Sequence, residues 1–155
     1  MKYICPLLVV SDMKRSRAFY EGLLGQKVKA DFGENVTYEG DFAIHLESHY
    51  CGLIDGKAIT QGGNTFELYF EDDELEEKAE KLAGEGVEFV HPLREQPWRQ
   101  KVLRIYDPDG HIIEVGESFE RLCFRLKEEG KSVEEIMKIT YMPEAFVNQA
   151  IHKST

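Results

Sequence analysis

The 155-residue chain has no apolar run longer than four residues, the stretch Leu7–Val10. A membrane-spanning helix needs about 20 such residues and a leader core about 7–15, so neither is expected. Cysteine is scarce as well: Cys5, Cys51 and Cys123 are an odd number and include no Cys-x-x-Cys pair. No disulfide framework follows from three such residues, and free thiols in a reducing cytoplasm are the expectation. Basic residues are outnumbered, 19 Lys and Arg against 29 Asp and Glu, giving a net charge of −10. Nucleic-acid binding relies on clustered cations, so this balance argues against a nucleic-acid partner.

What is present is the composition of a globular protein, 42% hydrophobic and 31% charged. Such a length suits a core that needs no staples. The acid excess is uneven. Residues 118–155 hold six Lys/Arg and six Asp/Glu, so the whole excess lies in residues 1–117. Much of it is the run Glu71-Asp72-Asp73-Glu74-Leu75-Glu76-Glu77, which reads as a solvated helix start with Lys78 and Lys81 following.

Element order along the chain reads as one unit written twice, strand–helix–strand–strand–strand. In the first copy, residues 3–10 are a strand and Asp12 caps a helix over 13–24. Strands then follow at 27–32, 35–39 and 42–48. In the second, a strand over 65–70 leads to a helix over 73–84 with Leu75, Ala79, Leu82 and Ala83 along one stripe. Strands come at 87–90, 101–106 and 111–116. Asp12 matches Asp73 and Gly25 matches Gly86, an offset of about 60 residues. The Gly-rich stretch 50–63 reads as the loop between copies.

Residues 118–155 lie outside this pattern. Phe119, Leu122, Cys123, Phe124 and Leu126 predict an amphipathic helix ending at Gly130. Ser132 with Glu135 forms a capping box before a second helix, and Pro143 opens a third. The second and third, separated by Tyr141-Met142-Pro143, also have the outline of a helix-turn-helix. The tail carries no net charge, and its second helix lacks the side chains that read base edges, so a helical appendage is preferred.

Two stretches carry a family signature. Leu8-Val9-Val10-Ser11-Asp12 runs into a helix with Phe19, Tyr20, Leu23 and Leu24 on one face, ending at Gly25. Tyr106-Asp107-Pro108-Asp109-Gly110-His111-Ile112-Ile113-Glu114-Val115 joins two strands through a tight turn. Together they resemble the vicinal-oxygen-chelate superfamily of glyoxalase I, bleomycin-resistance proteins, fosfomycin-resistance enzymes and extradiol dioxygenases. The resemblance implies an α+β fold, two βαβββ modules forming a curved, cleft-bearing mixed sheet. It covers residues 1–117 (modules at about 1–49 and 64–117), with a helical C-terminal extension over 118–155. It also implies a homodimer and a small-molecule ligand.

The resemblance assigns site positions too. The four family ligand positions fall on Cys5, His45, Glu67 and Glu114, and only Glu114 has the expected identity outright. If they hold one divalent metal (Zn, Mn, Ni or Fe), Glu67 and Glu114 are the catalytic carboxylates of a metal-assisted lyase or isomerase, with Glu67 able to act as base. Trp98, Arg104 and Tyr106 are expected to touch an organic ligand, an aromatic wall with one guanidinium. Each position has a plainer role: Cys5 a small buried hydrophobe, His45 a half-exposed strand residue, Glu67 a solvated one, Trp98 a loop anchor and Arg104 an ion-pair partner. Val9 stands where glyoxalase I has a glutathione-binding Arg, and Cys5 stands where its first histidine would be. Both departures argue against that activity, and the missing histidine argues also against the dioxygenases. The alternative to a metal enzyme is a non-catalytic protein that sequesters an antibiotic-like small molecule. In that reading Trp98-Arg99-Gln100 echoes the Trp-Gly-Gln segment of the bleomycin-resistance proteins.

Overall fold

The computed structural model describes residues 1–152. Its elements are β1 (Leu7–Val10), α1 (Met13–Arg17) continued by a π-helical segment (Ala18–Leu23), β2 (Val28–Asp31), β3 (Asn35–Tyr38), β4 (Ala43–Leu46) and α2 (Glu47–Leu53). There follow β5 (Glu67–Glu71), α3 (Leu75–Gly84), β6 (Phe89–Glu95), β7 (Lys101–Tyr106) and β8 (Ile112–Gly116), then α4 (Phe119–Glu128), α5 (Val133–Thr140) and α6 (Glu144–His152). The strands form two four-stranded sheets, ordered β1-β4-β3-β2 and β5-β8-β7-β6. In each copy the first strand lies beside the last, so the duplication read from element order holds at the level of topology. No helix of the described residues is long and apolar enough to cross a membrane.

The described residues divide into two compact units, residues 1–67 with 106–112, and residues 68–105 with 113–152. In the first, β1 runs parallel to β4 while β3 is antiparallel to both β4 and β2. Its core is aromatic: Tyr38 stacks on Phe42 at 4.7 Å between ring centroids, and Tyr20 lies 5.3 Å from Phe42. Asp12 caps α1, its carboxylate accepting from the Arg15 N–H at 3.0 Å. The regular helix expected over 13–24 instead widens into a π-helical segment, where consecutive Phe19 and Tyr20 are both buried. A wider turn lets two adjacent aromatics face the same core. The Asp-Pro-Asp-Gly turn also belongs to this unit. Gly110 (φ +85°) brings its backbone so near Gly62 that a Cβ would sit 3.2 Å from the Gly62 Cα.

Other boundaries differ from the sequence reading as well, and β6 runs over Phe89–Glu95 where the expected strand is 87–90. β1 starts at Leu7, which leaves Cys5 ahead of the strand, because Pro6 lacks the N–H a ladder needs. The stretch expected to extend as strand to 48 and then loop turns helical at Glu47 and stays so to Leu53.

In the second unit, α3 buries Leu75 and Leu82, and the sheet buries Val102, Leu103, Ile105, Ile113 and Val115. The three terminal helices enclose a cluster of Leu122, Cys123, Leu126, Ile136, Val147 and Ala150. The capping box is formed: the Ser132 hydroxyl accepts from Glu135 N–H while the Glu135 carboxylate accepts from Ser132 N–H. Replacing Ser132 by alanine removes one of these bonds and is expected to cost about 1 kcal/mol, read as a lower urea midpoint with unchanged slope.

Candidate functional site

Strand alternation sets the chemistry of the second sheet. Along β7, Leu103 and Ile105 are fully buried, while Arg104 and Tyr106 point to the opposite side. Along β8, Ile113 and Val115 share the buried side and Glu114 faces the other way. Glu114 is only 7% exposed, and Arg104 forms an ion pair with it. A carboxylate removed from water needs such compensation, and here a guanidinium provides it. Arg104 also donates from Nη1 to His91 Nε2 at 3.2 Å. The other ring nitrogen, Nδ1, lies 2.9 Å from the Pro92 carbonyl, which fixes His91 in the tautomer that can accept from Arg104. A register shift between β6 and β7 places His91 opposite Arg104, the re-aiming of a side chain that a bulge achieves.

Beside this pair the face closes on glycine. A Cβ on Gly116 would meet Tyr69 Cε2 and Gln100 Nε2 at 3.1 Å and Val102 Cγ1 at 3.2 Å. Gln100 donates to the Tyr69 hydroxyl at 2.9 Å and to the Glu117 carbonyl at 2.8 Å, and accepts from Trp98 Nε1 at 2.9 Å. Burial pushes the Tyr69 phenol up to about 12, so it stays protonated and donates to Glu71. Trp98 is therefore held by its own loop through Gln100, and 39% of it stays exposed.

In the first unit, His45 is 6% exposed at the end of β4 and His49 sits one turn into α2. Their rings stack at 5.0 Å, with His45 Nε2 2.7 Å from His49 Nδ1. Asn35 Nδ2 lies 3.0 Å from His45 Nδ1. With Asn35 donating, the proton of His45 sits on Nε2 and is passed as a hydrogen bond to His49. Burial and the neighbouring His49 both lower the His45 pKa, so the His45 ring is neutral near pH 7. Glu67 opens β5, is exposed, and lines a cavity of about 270 Å³ with Asn64, Thr65, Phe66 and Ile112. Cys5 is half-buried with a free thiol, and Tyr106 is half-buried at the end of β7. His49 and His91 are additions to the residues named from sequence. The His45-x-x-x-His49 spacing becomes a pair only because the helix starts at Glu47, and His91 is brought in by the register shift.

Within their own units, Glu114 and His45 are already committed to other partners rather than open to a divalent metal. Among the described residues no three His, Cys, Asp or Glu side chains gather to hold one. Glu114 is neutralised by Arg104, and both nitrogens of His45 are engaged.

The glyoxalase-like domain family matches residues 3–120. The chain belongs to that family. A protein of unknown function from Agrobacterium tumefaciens str. C58 is 41% identical over 76% of this chain and 94% of its own, with a TM-score of 0.70. A member of the glyoxalase/bleomycin resistance protein/dioxygenase superfamily from Sphaerobacter thermophilus DSM 20745 is 26% identical over 76% of this chain and 98% of its own, TM-score 0.58. The fosfomycin resistance protein FosX from Mesorhizobium loti shares the fold at 18% identity, covering 76% of this chain and 92% of its own with a TM-score of 0.56. No curated protein matches the chain.

Proposed function

We propose that this glyoxalase-like protein binds a small polar organic molecule without a resident metal, on the face of the second sheet that carries Arg104. The observation that supports this reading most is the ion pair of Arg104 with buried Glu114, at the family carboxylate position. A guanidinium there neutralises the carboxylate charge that a cation would otherwise need to neutralise. With His91 accepting on one side and Glu114 on the other, the guanidinium is held in place. A positioned planar donor of this kind recognises a carboxyl, phosphonyl or amide group. The protein is read as a cytoplasmic homodimer, supported by its free cysteines and by analogy with the family.

The competing reading, a metal-assisted lyase or isomerase with Glu67 and Glu114 as catalytic carboxylates and Cys5 and His45 as further ligands, gives a different result in one experiment. Elemental analysis of protein purified without chelator, and again after incubation with Zn, Mn, Ni or Fe, is expected to return no stoichiometric metal. Stoichiometric metal that disappears in both Glu67→Ala and Glu114→Ala would sink the metal-free reading. In parallel, a thermal-shift screen of small carboxylates, phosphonates and amides is expected to yield stabilising compounds. Their effect should be lost in the double variant Arg104→Met/Glu114→Gln, which removes both charges together and leaves no buried charge alone.

A further inference from the structure

The second unit holds a groove of about 600 Å³ between the 97–99 loop and the C-terminal helices, with Trp98, Arg99, Lys131, Lys138, Ile139 and Tyr141 among its walls. The last four of these lie beyond the residues that the family accounts for. We propose that this groove is a binding site for a small aromatic anion, one ring with a carboxylate or phosphate group.

Four observations point that way. The volume lies within the range of small-molecule pockets. The walls carry three basic side chains and no acidic one, in a chain whose net charge is −10. Arg99 is already held by Glu95 at 2.7 Å and Glu129 at 2.9 Å, and Lys131 lies 3.8 Å from Glu135. Lys138, by contrast, is exposed and closes no ion pair among the described residues, acting on Glu134 and Glu135 only across space. It is the uncommitted charge. The aromatic walls are equally available. Trp98 Nε1 is used by Gln100, which leaves the indole face to a guest, and Tyr141 is 88% exposed.

Tyr141 also occupies a backbone position that suits glycine. Its φ is +57°, and its N–H closes α5 on the Met137 carbonyl at 2.9 Å. Glycine or asparagine is the usual occupant there, since a Cβ is disfavoured in the left-handed region. A large exposed ring at this position does nothing for helix termination. It does add a flat apolar surface to the groove that Lys138 also lines. A ring stacked on these aromatics with its anion on Lys138 uses all of the groove's chemistry.

The chain has one tryptophan, so Trp98 emission reports this groove directly. Phenyl phosphate is expected to change that emission saturably, while benzyl alcohol and inorganic phosphate do not. Lys138→Gln and Tyr141→Gly are each expected to weaken phenyl phosphate at least about tenfold, or about 1.4 kcal/mol. Both positions are exposed and glycine suits the backbone at 141, so circular dichroism should show both variants folded. Arg104→Met/Glu114→Gln should leave the titration unchanged, which separates this site from the proposed sheet-face site. No saturation with phenyl phosphate overturns the inference. So does equal binding of benzyl alcohol, which would make the occupant merely apolar, or of inorganic phosphate, which would make it an ion only. Loss of a dimer in Tyr141→Gly by light scattering would make the groove an interface between copies and also overturn it.

Discussion

Replacing Arg125 by alanine is expected to lower the unfolding free energy by about 3–5 kcal/mol, the typical cost of breaking a buried ion pair from one side. Its partner Glu117 is 3% exposed. The Glu117 carboxylate accepts from Arg125 Nη2 at 2.6 Å and Nε at 3.3 Å, and from the Lys101 N–H at 2.8 Å. The same guanidinium donates to the Arg99 carbonyl at 2.6 Å and to Glu129 at 3.0 Å. It thus joins α4 to both the start of β7 and the loop that carries Trp98. Without it, Glu117 keeps one backbone donor and its charge. The double variant Arg125→Ala/Glu117→Gln should recover part of the loss, because the amide still accepts from Lys101 without a buried charge. Arg99→Ala is the contrast. Its pairs with Glu95 and Glu129 are about one-third exposed, so its cost should stay within about 1 kcal/mol. Urea denaturation followed by Trp98 emission and by far-ultraviolet circular dichroism reads both effects. An unchanged midpoint in Arg125→Ala would refute the anchoring role.

Much of this architecture is legible in the chain, and the parts that are not have physical causes. Asp12, Ser132 with Glu135, and the Asp-Pro-Asp-Gly turn announce themselves because caps and turns depend on residues within a few positions of each other. The β7 range of 101–106 follows from the strand-favouring Val102, Ile105 and Tyr106 set between polar, turn-forming segments. The failures lie where tertiary packing overrides local preference. The face of Phe19, Tyr20, Leu23 and Leu24 fits an ordinary helix, so the burial of Phe19 and Tyr20 is legible in the chain while the π-helical widening around them is not. α2 begins inside the stretch whose pattern predicts strand, so the His45–His49 pair cannot be read before the helix is known. At the candidate site, alternation along β8 correctly turns Glu114 away from the apolar side. The sequence names Arg104 as a ligand-facing residue or an ion-pair partner, but that its partner is Glu114 depends on β7 lying beside β8. The groove at Trp98 and Tyr141 depends on how a tail outside the family pattern folds back. For that there is no local signal at all.

The acid limb of stability is the second large effect, and it resides in Asp107. This carboxylate is buried, with the Tyr20 hydroxyl donating to Oδ2 at 2.8 Å and His111 Nδ1 2.8 Å from the same oxygen. The backbone N–H groups of Asp109 and His111 donate to Oδ1 at 2.9 and 2.8 Å. Burial by itself works to raise the Asp107 pKa, but the hydrogen bonds and charge from His111 and the bond from Tyr20 outweigh it, and the net shift is downward. A carboxyl with a folded pKa below its unfolded one contributes stability above the unfolded value, about 3.9, and loses it as pH falls through the folded value. Asp107→Ala should therefore cost about 3 kcal/mol or more at pH 7, since it strands the fully buried Tyr20 hydroxyl and two turn N–H groups at once. Asp107→Asn keeps the shape and one acceptor oxygen, so it should be milder at pH 7, and its deficit should shrink as the wild type is taken to low pH. His45 behaves with the same sign but higher on the scale. Its depressed pKa means that stability falls as pH drops below the ordinary histidine value of about 6.5, and that portion should persist in Asp107→Asn. Urea midpoints measured from pH 7 to pH 3 separate the two. Wild-type and Asp107→Asn curves that remain parallel below pH 5 would show that Asp107 does not carry the acid limb.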